Sequence, residues 1–261
     1  MSFVASVGSI PAASGTSFPH TVPAGVVPTD VALVLTATGA GTPGDTINAT
    51  SSAGTVSVTS LFGLSSYTNG LGAAALLSGV SAGDTLNITF AHVLVPVILV
   101  AWYRGYQTAG YQLGARNVRS GTGTTAVAGP LTTEYGSSLV LFAFQDRASA
   151  VSTTCSVTGA VTQVEASQFG AASPGGANCS DVVTSLVMGT AGTVSGSTTA
   201  TWNASSTNAQ GFALELQPGT VSTVPTLRGV IQNGVEVSGA TLRGVIQNGS
   251  EASGVTLRDI V

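Results

Sequence analysis

Apolar and polar residues alternate with period two along much of the chain. In "GFALELQP" (residues 211–218), Phe212, Leu214 and Leu216 share one face, while Ala213, Glu215 and Gln217 share the other. That spacing predicts a strand, not a helix. Similar segments, separated by Gly, Ser, Pro and Asn clusters, occur at residues 31–39, 55–62, 84–91 and 96–103. Others follow at 137–146, 153–160, 181–190 and 197–204. No segment carries a helical period; "LGAAALLSGV" (71–80) comes nearest but is short and bounded by glycine. About ten or more strands joined by short turns predict an all-β chain with a jelly-roll-like β-sandwich body.

The longest apolar run, "VLVPVILVAWY" (93–103), is about half the length of a membrane-spanning helix. It contains Pro96 and many β-branched residues, so it reads as a buried strand and no membrane insertion is expected. The pattern also echoes itself. An apolar strand, a Thr-rich strand ending in an aromatic residue and a second apolar strand occur at 31–36, 85–90 and 97–103. They recur at 139–144, 198–202 and 212–216. The polar stretch between the last two reads as a linker.

Composition sharpens this reading. The chain has 261 residues, 34 of them glycine, and only 7% are charged, against about 25% in ordinary soluble domains. There is no lysine, and the net charge is −4. Without a basic patch a nucleic-acid partner is not expected. Without lysine a Walker-type loop is excluded, so "GAGTPGD" (39–45) reads as a turn. A surface so poor in charge suits a protein whose neighbours cover it. "MSFVASVGSIPAASGTSF" has neither a basic start nor an unbroken apolar core, so a secretory signal is not expected and synthesis in a cytoplasm is.

The body closes at Pro218-Gly219, giving a predicted body over 1–219 and a linker over 220–225. Residues 226–261 repeat themselves. "TLRGVIQNG" opens at Thr226 and again at Thr241, and a third copy, "TLRDIV", opens at Thr256, a 15-residue period. Asn233-Gly234 and Asn248-Gly249 are strong hairpin signals. Hairpins of this size are marginal alone. Leu227, Val230, Ile231, Leu242, Val245 and Ile246 therefore call for cover from outside the segment. Copies of the same chain are the economical source. The expectation is an oligomerisation or docking segment and a homo-oligomer, with a trimer favoured. Two surface hairpins or a flexible tail are the plain alternatives.

Four stretches carry a family resemblance: "TVPAGVVPTDVALVLTATG" (21–39), "GDTLNITFAHVLVPVILVAWYRGY" (83–106), "YGSSLVLFAFQDRAS" (135–149) and "TATWNASSTNAQGFALELQPG" (199–219). Together they resemble a domain of structural proteins of tailed bacteriophages, especially minor tail proteins of phages of actinobacterial hosts. The 15-residue repeats resemble those of viral fibre shafts. The resemblance implies a non-enzymatic virion component: a minor tail or fibre protein, a capsid decoration protein, or a head binding a host receptor or glycan. Its partners would be itself, other virion proteins and a host cell-surface glycan.

Candidate chemistry is sparse. His20 and His92 lie far apart, no G-x-S-x-G motif occurs, and the eleven acidic residues are dispersed. No catalytic residue, metal site or cofactor is therefore expected. "AWYRGYQTAGY" (101–111) is the densest aromatic cluster. Tyr103, Arg104, Tyr106 and Tyr111 are candidate ligand contacts; the alternative is a core Trp102 with ordinary loop tyrosines. Cys155 and Cys179 form either a disulfide or two buried thiols.

Overall fold

The computed structural model describes residues 2–39, 41–64, 72–148, 150–171, 178–219, 230–232 and 235–237. The chain divides into two units, Met1–Thr220 and Val221–Val261. Every regular element among the described residues is a strand, as the alternating pattern predicts.

Eight strands build the first half of the larger unit: β1 (Ser2–Ser9), β2 (Gly15–Thr21), β3 (Val31–Thr38), β4 (Asn48–Ser51), β5 (Ser57–Phe62), β6 (Gly72–Ser78), β7 (Thr85–Leu94) and β8 (Pro96–Arg104). They form two antiparallel sheets, ordered β1-β8-β3-β6-β5 and β2-β7-β4. This is a jelly-roll winding, in which the strands next to one another in each sheet are mostly distant in sequence. Val34, Leu77, Ile98 and Trp102 from the larger sheet meet Phe18, Leu86, Ile88 and Phe90 from the smaller one. Phe18 and Phe90 sit edge to face, centroids 6.1 Å apart.

The second half repeats the winding with β9 (Tyr106–Leu113), β10 (Asn117–Ala128), β11 (Ser138–Ala148), β12 (Cys155–Gly159), β13 (Ala166–Ala171), β14 (Asn178–Met188) and β15 (Thr198–Pro218). Here one 21-residue strand, β15, takes the places of both β7 and β8. Its first part pairs with β12 and the end of β10. Its last part pairs with β9 and β11. The register shows the correspondence. Phe18, Ile88 and Ala49 stand opposite one another in the first half as Ala126, Ala200 and Val157 do in the second. Val31 faces Tyr103 as Leu139 faces Leu216. The sequence echo is thus a tandem pair of jelly rolls. The predicted linker between residues 204 and 211 is instead continuous strand. Its polar residues are paired: Asn208 stands opposite both Ser120 of β10 and Arg147 of β11.

The two jelly rolls pack through their large sheets. Leu33, Leu35, Leu76, Leu99 and Tyr103 meet Leu141, Val183, Phe212, Leu214 and Leu216. The first large sheet is therefore covered on both faces. That explains why β3 and β8 read as unbroken apolar runs. A third apolar layer, around Phe142, Phe144, Val157 and Trp202, fills the second jelly roll itself.

A buried polar row crosses the contact between the sheets. Asp181, Gln145 and Gln210 stand side by side on β14, β11 and β15, all fully buried. Gln145 Nε2 reaches Asp181 Oδ1 (3.0 Å) and, across the interface, Thr36 O (2.8 Å) and Ala73 O (3.3 Å). Gln210 donates to Gln145 Oε1. Gly72 makes room for this approach, since a Cβ there would lie 2.5 Å from Gln145 Cδ. Glu215, on the other face of β15, is also fully buried and accepts from the backbone N–H groups of Glu134 (2.8 Å) and Tyr135 (3.0 Å). Two backbone donors allow an acid on the inner side of a strand.

In the second unit, β16 (Val230–Gln232) and β17 (Val235–Val237) pair antiparallel, with Gln232 opposite Val235. Two residues, Asn233 and Gly234, separate the strands in sequence. The predicted linker and the expected assembly positions Leu227, Asn233, Gly234, Leu242, Val245, Ile246, Asn248 and Gly249 lie outside the described residues. Val230 and Ile231 are the two that fall on a described strand.

Candidate functional site

The aromatic cluster singled out in the sequence does not form one open surface. β8 carries Trp102 and Tyr103 into opposite cores, and both are fully buried. Tyr103 meets Phe3 edge to face at 5.8 Å. Tyr106 is buried at the start of β9, and Tyr111 is partly buried against the same inter-sheet core. The stretch after Gly105, expected as a loop, is strand. Arg104 is half-exposed but engaged. Its Nε and Nη2 donate to Asp30 Oδ1 and Oδ2 at 2.8 and 2.7 Å, and Nη2 also donates to Gly25 O at 2.6 Å. Asp30 accepts in addition from Val27 N. This fork pins the loop before β3 to the end of β8.

Beside this cluster lies a feature that the alternation pattern did not mark. Glu165 precedes β13, and its two carboxylate oxygens are held from two jelly rolls. Tyr103 of the first donates its hydroxyl to Oε2 at 3.0 Å. Ser185 of the second donates to Oε1 at 3.0 Å. The backbone is fixed too, because Glu165 N donates to Val183 O (3.0 Å) and Thr184 Oγ1 donates to Gln163 O (2.5 Å). A groove of about 220 Å³ opens here, lined by Val161, Gln163, Glu165, Thr184 and Ser185. Partial burial pushes the Glu165 carboxyl above its usual range, and the two hydroxyl donors oppose that rise. Burial and then the charge of Glu165 raise the Tyr103 and Tyr106 phenols. The Tyr106 hydroxyl is buried without a hydrogen-bond partner among the described residues. Polar residues on short connections carry no periodic signal, so only the Tyr103 half of this arrangement was visible in the sequence.

The cysteines are free thiols, the second of the two readings the sequence allowed. They face opposite sides of the second large sheet. Cys179 is buried between the sheets beside Ala37 and Val97. Cys155 packs against the inner core around Trp202. Burial pushes the Cys155 thiol up to about 12 and that of Cys179 further, so neither is a reactive thiolate.

The histidines are separately placed. His20 Nδ1 is 3.0 Å from Phe18 O, and its Nε2 is 2.8 Å from Ser9 Oγ. With the proton on Nδ1, Ser9 donates to the ring and ties β1 to β2. Burial lowers the His20 pKa and favours the neutral ring. His92 lies 3.4 Å from Asp45, whose carboxylate also accepts from Ala91 N and His92 N. Among the described residues no group of three or more His, Cys, Asp or Glu side chains is arranged to hold a metal ion. Among them, too, no helix is long and apolar enough to cross a membrane.

No family model, no curated protein and no solved structure matches this chain.

Proposed function

We propose that the protein is a non-enzymatic structural component of a bacteriophage virion, a minor tail or fibre protein that assembles through its C-terminal repeats. The observation that carries this reading is the 15-residue repeat. Its first copy contributes the β16–β17 pair around Asn233-Gly234, and its apolar positions recur beyond what one short hairpin buries. The body supports the same reading. Its buried Glu215 accepts from the backbone N–H groups of Glu134 and Tyr135 and so ties a loop to the sheet. The four stretches that resemble phage tail proteins fall in both jelly rolls and together span residues 21–219.

Capsid decoration is the second placement compatible with a compact β body and a terminal assembly segment. A glycan-binding head is the third, and it would use the loops at the jelly-roll ends, because Tyr103 and Tyr106 are buried. Antibodies raised against residues 1–220 test the virion assignment on intact particles from the source culture. Labelling at the tail supports a tail protein, and labelling over the head supports decoration. Antigen found only in the unassembled lysate fraction contradicts a virion role.

A further inference from the structure

We infer that the groove at Glu165 is a binding site for one arginine side chain of a protein partner. This groove lies in the body and does not depend on the assembly role of the repeats.

Both oxygens of Glu165 are oriented by neutral donors, Tyr103 at 3.0 Å and Ser185 at 3.0 Å. Its charge is therefore positioned but not balanced by either partner. Each carboxylate oxygen accepts more than one hydrogen bond, so lone pairs remain for a ligand. Arginine fits them best: its planar fork matches a carboxylate, and its guanidinium gives up water more readily than an ammonium does. The lining suits such a side chain, combining the apolar Val161 with the polar Gln163 beside Glu165 and Ser185. At about 220 Å³ the space falls below the roughly 300–1,000 Å³ of small-molecule sites, which favours a single side chain over a cofactor or sugar. A carboxyl raised by burial gains most from a cation, since an opposite charge favours the ionised form.

The probe is N-acetyl-arginine amide, whose only charge is the guanidinium. Ligand-observed saturation-transfer NMR on the full chain reads binding in the range up to about 10 mM, where a lone charge-assisted contact is expected. Wild type should give a saturable signal that N-acetyl-glutamine amide does not. Glu165→Gln, which keeps the shape but leaves one oxygen to accept from the two hydroxyls, should lower the signal at least about tenfold. Ser185→Ala should weaken it by a smaller factor, and a thermal melt of each variant confirms folding. On wild type the signal should also grow from pH 4 to pH 8 as Glu165 ionises. Tyr103 and Tyr106, the titratable groups facing it, stay protonated over that range because both phenols are raised. No signal from wild type, an equal signal from folded Glu165→Gln, or a signal indifferent to pH would each overturn the assignment.

Discussion

Trp202 is 2% exposed within the inner core of the second jelly roll, opposite Cys155 of β12. Trp202→Ala should cost about 3–5 kcal/mol. In a body of this size that lowers the melting temperature by on the order of 10 °C. An unchanged melt would show that this side chain is not packed as described. Asp146 gives a second expectation. Ser180 donates to it, but burial dominates and raises its carboxyl to about 7. Asp181 is raised in the same direction by burial. A carboxyl raised above its unfolded value, about 3.9, binds its proton more tightly in the native state. Its contribution is fully present below pH 4 and is lost as pH rises through about 7. The protein should therefore melt at a higher temperature at pH 5 than at pH 8.5, and Asp146→Asn should shrink that difference. A melting temperature that climbs over the same range would contradict the burial of both acids. Trp202 could be placed from sequence because it ends a Thr-rich alternating strand. Asp146 and Asp181 could not, because an acid within a strand reads as a solvent-facing position until its neighbours are known. The cysteines stayed open in the sequence, whose spacing allows a bridge or two thiols, and only the fold places them in separate cores.

Strands with strong period-two or unbroken apolar character, such as β3, β7, β8, β11 and β14, were all legible. The Ser- and Thr-rich β5, β12 and start of β15 were legible too, but others were not. β1, β2, β9 and β10 lie at or near sheet edges and are only partly buried, so their pattern is weak and pairing with a partner strand makes them strands. The same holds for residues 204–211 of β15, where polar side chains suggested a connection but two neighbours supply a ladder. β6 presents a different element-level dependence. Gly72 begins it directly beneath the Gln145 amide, and an added Cβ would come within 2.5 Å of three of its atoms. Gly72→Ala should lower the melting temperature, because the clash either moves β6 or displaces Gln145 from Thr36 O and Ala73 O. Adding Gln145→Ala to Gly72→Ala should recover part of the loss by removing the obstruction, a non-additivity that thermal melts of the two single variants and the double variant detect. Strictly additive losses would show that the polar row does not control the approach of the two sheets.

The larger unit is two copies of one winding, joined by their large sheets into a continuous set of cores. That arrangement accounts for a chain that is 43% hydrophobic and 7% charged, since the sheet that would face water in a single jelly roll is covered by its counterpart. Residues 1–220 should therefore be soluble alone and melt cooperatively with a β-type circular dichroism spectrum. An insoluble or molten product would mean that the repeats complete the body. Assembly through the repeats is read from the absolute mass in solution. Light scattering on the full-length chain, each copy 25.6 kDa, should report a homo-oligomer, with three copies expected, at tens of micromolar. Residues 1–220 should be monomeric. Replacing Gly234 and Gly249 together by Val, which resists the positive φ of an Asn-Gly hairpin turn, should reduce the mass toward that of one chain while the body stays folded. A monomeric full-length protein, or a truncated body that keeps the full oligomer, would contradict assembly through the repeats.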